Sequence, residues 1–276
     1  MRRSLLLVAC LVLCGFTVSG PFRVTGPFKL LAGPPGGFPG INEDWEVDAT
    51  GWTSWNGAAC SWQSGVGDYR IDGSGICAYS GSDAGSQPTT GTHWVAAEFA
   101  TGNNQYRGVS VRLASSEPDA ATFNYVARGD NSGKLEIRSC QEGDVCGTLG
   151  TPTQITELAT APPADGDVIA LVVTGEANAG AGDLELCAWI WDAGNITTED
   201  WEDPTTWGAA DVCKYEGAGI SVLASYSDCA GTTNCEDVGA DGDLDDAPAT
   251  QTDVGLYSGI STDGSRDFEW LTGGDL

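Results

Sequence analysis

Apolar and polar residues alternate with a period of two along short stretches of this chain, and no 3.6-residue period runs for three helical turns. In GVSVRL (108–113), Val109, Val111 and Leu113 fall on one side of the chain. In KLEIRS (134–139), Leu135 and Ile137 oppose Lys134, Glu136 and Arg138. Such alternation marks half-buried strands, whose side chains point to opposite faces in turn. Strand-like stretches span 93–99, 106–113, 122–128, 134–138, 168–174, 184–191, 219–224, 253–257 and 266–270. LELCAWIWD (184–192) is apolar on both faces, which predicts a central strand covered on both sides, or covered on one side and lining a groove on the other. Two antiparallel sheets packed face to face are the economical way to bury so many strands without a helix. Segments 141–166, 192–218 and 228–252 read as long irregular insertions.

Cysteine usage adds a second constraint. Of ten cysteines, Cys10 and Cys14 lie in an N-terminal apolar segment. The other eight fall into neighbouring pairs, Cys60 with Cys77, Cys140 with Cys146, Cys187 with Cys213 and Cys229 with Cys235. There is no CxxC pair and only one histidine, His93, so zinc-ligand spacing is absent. An even set of thiols without a metal motif predicts disulfides and an oxidising compartment. Residues 1–20 carry a basic start, an apolar run and a small-residue end, the pattern of a signal peptide or apolar anchor. Residues 21–40 read as a Gly/Pro-rich linker arm, with Pro-Phe-cation units at Pro21-Phe22-Arg23 and Pro27-Phe28-Lys29. Residues 41–276 form the folded domain. The expected location is secreted, extracellular or periplasmic, with a virion surface as the alternative and no membrane span in the mature chain.

Charge excludes one class of partner. The chain carries a formal charge of −27, yet residues 1–40 hold Arg2, Arg3, Arg23 and Lys29 and no acid. So acidic a body repels nucleic-acid phosphate and anionic lipid, which need a positive patch.

The order of the pieces resembles a concanavalin A-like (laminin G-like) jelly roll. INEDWEVDATGWTSWNGA (41–58) resembles the opening strand of such modules, and GVSVRLASSEPDAATFNYVARGDNSGKLEIRS (108–139) their middle strands, with Arg112 facing out and a hairpin at 130–133. VGLYSGISTDGSRDFEWLTG (254–273) resembles the closing hairpin, which returns beside the first strand. The resemblance implies an all-β, two-sheet antiparallel jelly-roll sandwich over 41–276, with long disulfide-stapled loops and an N-terminal extended arm. β-Glucan hydrolases of this fold class carry Glu-x-Asp-x-Glu on one strand face. Here Glu46 and Asp48 match the first two acids, but Thr50 stands at the third and cannot act as a general acid.

Candidate sites follow from residue chemistry. Glu236, Asp237, Asp241, Asp243, Asp245 and Asp246 cluster, and Asp241, Asp243, Asp245 and Asp246 are the expected ligands of a Ca²⁺ ion, a hard cation that wants converging oxygens. The run is not an EF-hand, since Thr252 stands where the bidentate Glu belongs. Trp52, Trp55, Trp62, Trp201 and Trp207 lie in turn-rich or polar stretches, where indoles form platforms for sugar rings, insert into partner pockets or plug loops over a core. No Ser/His/Asp or Cys/His arrangement and no phosphate-cradling glycine loop is visible. The expectation is a non-catalytic module recognising a glycan or protein on an outer surface, with Ca²⁺ as the one candidate cofactor. A structural component of a virion or extracellular assembly, oligomerising through its N-terminal arm, and a degenerate glycoside hydrolase are the alternatives.

Overall fold

The computed structural model describes residues 23–25, 29–31, 41–43, 51–55, 59–63, 68–79, 87–102, 106–114, 123–130, 132–141, 153–159, 163–175, 184–192, 204–215, 235–237, 249–259 and 265–276. The chain divides into two units, Met1–Gly37 and Phe38–Leu276. In the first, β1 (Arg23–Thr25) pairs antiparallel with β2 (Lys29–Leu31). The stretch read as an extended arm therefore contains a short hairpin, although a ribbon of this size has little stability of its own.

Among the described residues of the second unit, strands supply all regular structure except one 3-10 turn at Pro204–Thr206. They are β3 (Ile41–Glu43), β4 (Trp52–Trp55), β5 (Ala59–Gln63), β6 (Asp68–Asp72), β7 (Gly75–Tyr79), β8 (His93–Gly102), β9 (Arg107–Leu113) and β10 (Phe123–Asp130). Then follow β11 (Lys134–Gln141), β12 (Thr153–Ala159), β13 (Val168–Thr174), β14 (Glu185–Trp191), β15 (Val212–Tyr215), β16 (Cys235–Asp237), β17 (Asp253–Ser258) and β18 (Ser265–Asp275). No helix among the described residues is long and apolar enough to cross a membrane.

Two sheets pack as a sandwich. A seven-stranded sheet runs β12-β11-β10-β9-β17-β7-β4, and a nine-stranded sheet runs β16-β15-β14-β13-β8-β18-β6-β5 with β3 also on β18. Every described pairing is antiparallel except β15 with β16. The alternation of the sequence sets the inner faces: Val109 and Val111, Leu135 and Ile137, Ile169, Leu171 and Val173, and Leu256 share one buried cluster between the sheets. The closing strand β18 lies beside β3, pairing Leu271 with Glu43 and Gly273 with Ile41. The hairpin joining β10 to β11 pairs Asp130 with Lys134, and Gly133 supplies the left-handed backbone (φ 79°) that its turn requires.

Four expectations need correction. Segments 141–166, 192–218 and 228–252 are not wholly irregular, because they contain β12, β15 and β16. The opening is also richer than a single strand, since 41–58 holds both β3 and β4. Arg112 does not face out: it is buried, in left-handed backbone at φ 55°. Its Nη2 donates 2.7 Å to Gly91 O and also to Gly175 O. The cause is a bulge, in which Val111 and Arg112 of β9 stand opposite only Val254 of β17. The same extra residue turns Leu113 away from Val109 and Val111, onto the outer face with Tyr257 and Ile76. The left-handed conformation costs an arginine on the order of 1 kcal/mol, which the two carbonyl bonds offset.

Among the described residues, two of the four proposed disulfides are formed. Cys60–Cys77 links β5 to β7 and so ties one sheet to the other. Cys187–Cys213 joins residues directly paired on adjacent strands β14 and β15, with Cα atoms 4.2 Å apart. Both staple strands and not loops. The side chains of Cys140, Cys146, Cys229 and Cys235 lie outside the described residues, as do Glu46, Asp48, Thr50, residues 1–20 and the strand expected at 219–224.

Candidate ligand-binding face

The outer face of the nine-stranded sheet is built from alternate residues of its central strands. Trp94 and Ala96 of β8, Val168, Ala170 and Val172 of β13, and Cys187 and Trp189 of β14 form a second buried apolar cluster. The register places Ala96, Ala170 and Trp189 in one cross-strand row. The two alanines leave room above the sheet, and Trp207 fills it. Its ring meets Trp94 at 5.3 Å, Trp189 at 5.4 Å and Trp191 at 5.6 Å between centroids, each nearly edge-on. That geometry sets the positive edge of one indole against the negative face of another.

The segment carrying Trp207 is fixed at both ends. Trp207 N donates to Pro204 O across the 3-10 turn, and Gly208 adopts φ 79° to reverse the chain. Beyond it, Asp211 accepts from Ile190 N at 2.8 Å and donates its own N–H to Ala188 O. Burial pushes the Asp211 carboxyl above its usual range, against the opposing effect of the Ile190 bond.

The next row along the sheet is half-exposed. Trp270 of β18 pairs with Glu98 of β8, Glu98 with Val168 of β13, and Val168 with Trp191 of β14. Trp270 and Trp191 are partly buried against the aromatic cluster, Glu98 is half-exposed, and Val168 between them is buried. The strands that carry the two indoles stand three spacings apart, about 14 Å between backbones. Trp191 lies parallel to Trp189 at 6.3 Å, and Trp270 Nε1 donates to Glu98 Oε2 at 2.5 Å. A second bulge makes this row. Between Phe268 and Trp270 the register with β8 shifts, so Phe268 and Leu271 enter the inter-sheet core while Trp270 turns outward.

The five tryptophans expected as a platform do not share a surface. Trp207 is only 5% exposed and meets the Trp191 ring edge-on. Trp52, on β4, packs against the inter-sheet core beside Tyr69 and Tyr79. Trp55 is buried on the outer face of the seven-stranded sheet. Trp62 lies on β5 with its side chain outside the described residues, where Trp201 also falls. The Ca²⁺ candidates Asp241, Asp243, Asp245 and Asp246 are outside the described residues too. Glu185, Cys187 and Cys213 bring ligand atoms within 4.8 Å of one another, but both sulfurs are spent in the disulfide and offer no thiolate.

Titratable groups elsewhere are engaged structurally. On the outer face of the seven-stranded sheet, Glu136 accepts from Arg128 Nε at 2.7 Å and from Arg138 Nε and Nη2 at 2.9 Å. Burial alone would raise its pKa, but the hydrogen bonds and charges of Arg138 and Arg128 outweigh it and hold the carboxyl below its ordinary range. Arg128 reaches the Tyr257 hydroxyl at 3.1 Å by crossing Gly108, where a Cβ would lie 2.0 Å from Ala127 O. His93 Nδ1 lies 2.9 Å from Thr90 O while its Nε2 accepts from Arg112 N at 3.2 Å. Those partners fix one neutral tautomer, and burial depresses the imidazole pKa to about 4.

Set beside known proteins, the chain matches no family model, and no curated protein matches it.

Proposed function

We propose that the chain is a non-catalytic module of an exported protein, recognising a glycan on an outer surface through the outer face of its nine-stranded sheet. The row Trp270–Glu98–Val168–Trp191 carries the reading. Two half-exposed indoles flank Val168 and a carboxylate, which is the equipment for stacking sugar rings and accepting their hydroxyl protons. Buried indoles brace Trp191 from behind, so little side-chain entropy is lost on binding. The disulfides favour export, since such bonds persist in oxidising compartments.

Neither Glu136 nor His93 offers the chemistry of turnover. General acid catalysis needs a carboxyl whose proton is available near working pH, whereas Glu136 is held ionised between two guanidinium groups. Both nitrogens of His93 are committed to backbone partners. A glycan array run with and without EDTA tests the reading and the Ca²⁺ expectation together. Binding that Trp191→Ala and Trp270→Ala each weaken at least tenfold supports it; silence in both conditions contradicts it. Binding that EDTA abolishes assigns a role to the acidic run at Asp241–Asp246, and binding that EDTA leaves intact removes Ca²⁺ from the account.

A further inference from the structure

We infer that the outer face of the seven-stranded sheet carries a second site, a receptor for a small oxyanion such as a carboxylate, made by Arg128 beside Tyr106. The register sets it up. Tyr257 of β17, Gly108 of β9, Arg128 of β10 and Glu136 of β11 stand in one cross-strand row. Gly108 puts no side chain between Arg128 and Tyr257, so the guanidinium reaches the phenol across it. Three contacts then hold Arg128. Its Nε donates to Glu136 Oε2 at 2.7 Å, its Nη1 donates to the Tyr257 hydroxyl at 3.1 Å, and its guanidinium carbon lies 4.2 Å from the centroid of the Tyr106 ring. Nη2 donates to no described residue, and the side chain keeps 7% of its surface open.

Charge and donor count give the ligand class. A guanidinium stays protonated and carries five N–H donors in a rigid fork. Glu136 does not answer it alone, because the same carboxylate accepts two bonds from Arg138. A fixed cation with a nitrogen to spare is the chemistry that recognises an oxyanion. The small opening admits a free or terminal oxyanion and excludes the backbone of a polyanion. Tyr106 adds an independent sign of a built site. It adopts left-handed backbone at φ 44°, a conformation rare for tyrosine and concentrated at ligand clamps. Gly259 N donates to Tyr106 O at 2.9 Å, and a Cβ at Gly259 would lie 2.3 Å from Tyr106 Cβ. That close approach holds the half-exposed ring over Arg128.

An NMR titration of the oxidised chain tests the inference. The probes are the sodium salts of acetate, glucuronate, sulfate and phosphate at constant ionic strength in sodium chloride, with glucose as the neutral control. Saturable shifts of the Arg128 Nε–H and of the Gly108 and Gly259 amides are expected with at least one oxyanion and not with glucose. Shifts with acetate and glucuronate alone assign a carboxylate ligand; shifts with sulfate and phosphate as well assign a general oxyanion site. Arg128→Lys keeps the charge, loses the fork and is expected to weaken binding about tenfold or more. The wild-type titration decides whether or not that variant folds. No saturable shift with any of the four anions overturns the inference, as do shifts confined to residues away from this row. Undiminished affinity in a folded Arg128→Lys overturns it too. The glycan face lies on the other sheet, so its success or failure on the array leaves these outcomes untouched.

Discussion

Removing the Trp207 indole tests whether the aromatic cluster is a built support. The ring is 5% exposed and touches three other indoles edge-on at 5.3 to 5.6 Å. A buried tryptophan hides about 150–250 Å², which at about 25 cal/mol per Å² gives an upper limit near 4–6 kcal/mol. Core replacements of tryptophan by alanine cost about 3–5 kcal/mol. The bonds from Ile190 N to Asp211 and from Asp211 N to Ala188 O survive the change, so the segment stays docked and a cavity opens beneath it. Trp207→Ala is therefore expected to lose about 3–4 kcal/mol and, for a unit of this size, about 10 °C in Tm. Urea unfolding followed by far-UV circular dichroism gives the free energy, and near-UV dichroism reports the lost ring packing. Trp207→Phe, which fills part of the cavity, falls between wild type and alanine. A loss below about 1 kcal/mol would refute the reasoning, because a ring so enclosed cannot be removed that cheaply.

Two further outcomes follow. Replacing Cys187 and Cys213 together by alanine opens a loop with a sequence separation of 26 and is expected to cost about 3.5 kcal/mol, against about 3 kcal/mol for the separation of 17 at Cys60 and Cys77; equal urea midpoints with and without each bond contradict this. The pH response couples two buried groups of opposite sign. Folded His93 stays neutral down to about 4 while its ordinary value is 6.5, so acidification through that window favours the unfolded chain by about 3 kcal/mol. Burial, against a Gln87 hydrogen bond, raises Asp253 to about 6 from an ordinary 3.8, so the same acidification favours the folded chain by about 3 kcal/mol. The two nearly cancel in wild type. Asp253→Asn is expected to expose the histidine effect as a steep loss of stability between about pH 6.5 and 4 in urea titrations, and a profile parallel to wild type contradicts the pairing.

Much of the sandwich is legible in the sequence because its inner faces obey strict alternation. Val168–Thr174 is delimited to the residue, and Leu135 and Ile137 enter the core opposite Glu136 and Arg138. Legibility fails where one extra residue breaks the period. The bulge at Arg112 reverses both Arg112 and Leu113, and the shift before Trp270 turns that indole outward although its parity matches Phe268. Short strands such as β4 and β15 carry too few residues to display a period at all. Among the site residues, Trp191 was readable, since Cys187, Trp189 and Trp191 alternate along one face of β14. Glu98 and Trp270 were not, because only register across three strands brings them beside it. Of the tryptophans chosen for their turn-rich or polar surroundings, Trp55 and Trp207 are buried and Trp52 is half-exposed, while Trp191 and Trp270 lie half-exposed on β14 and β18.

The chain's tryptophans let the indole N–H region of an NMR spectrum tell the outer face of the nine-stranded sheet from other parts of the fold. With Trp191, Trp270, Trp52 and Trp55 assigned by single phenylalanine replacements, a titration with the glycan that binds best on the array is expected to shift Trp191 and Trp270. Trp52, packed against the inter-sheet core, and Trp55, buried on the outer face of the other sheet, are expected to stay in place. Shifts confined to Trp52 or Trp55, with Trp191 and Trp270 unmoved in the presence of saturating ligand, would contradict the account.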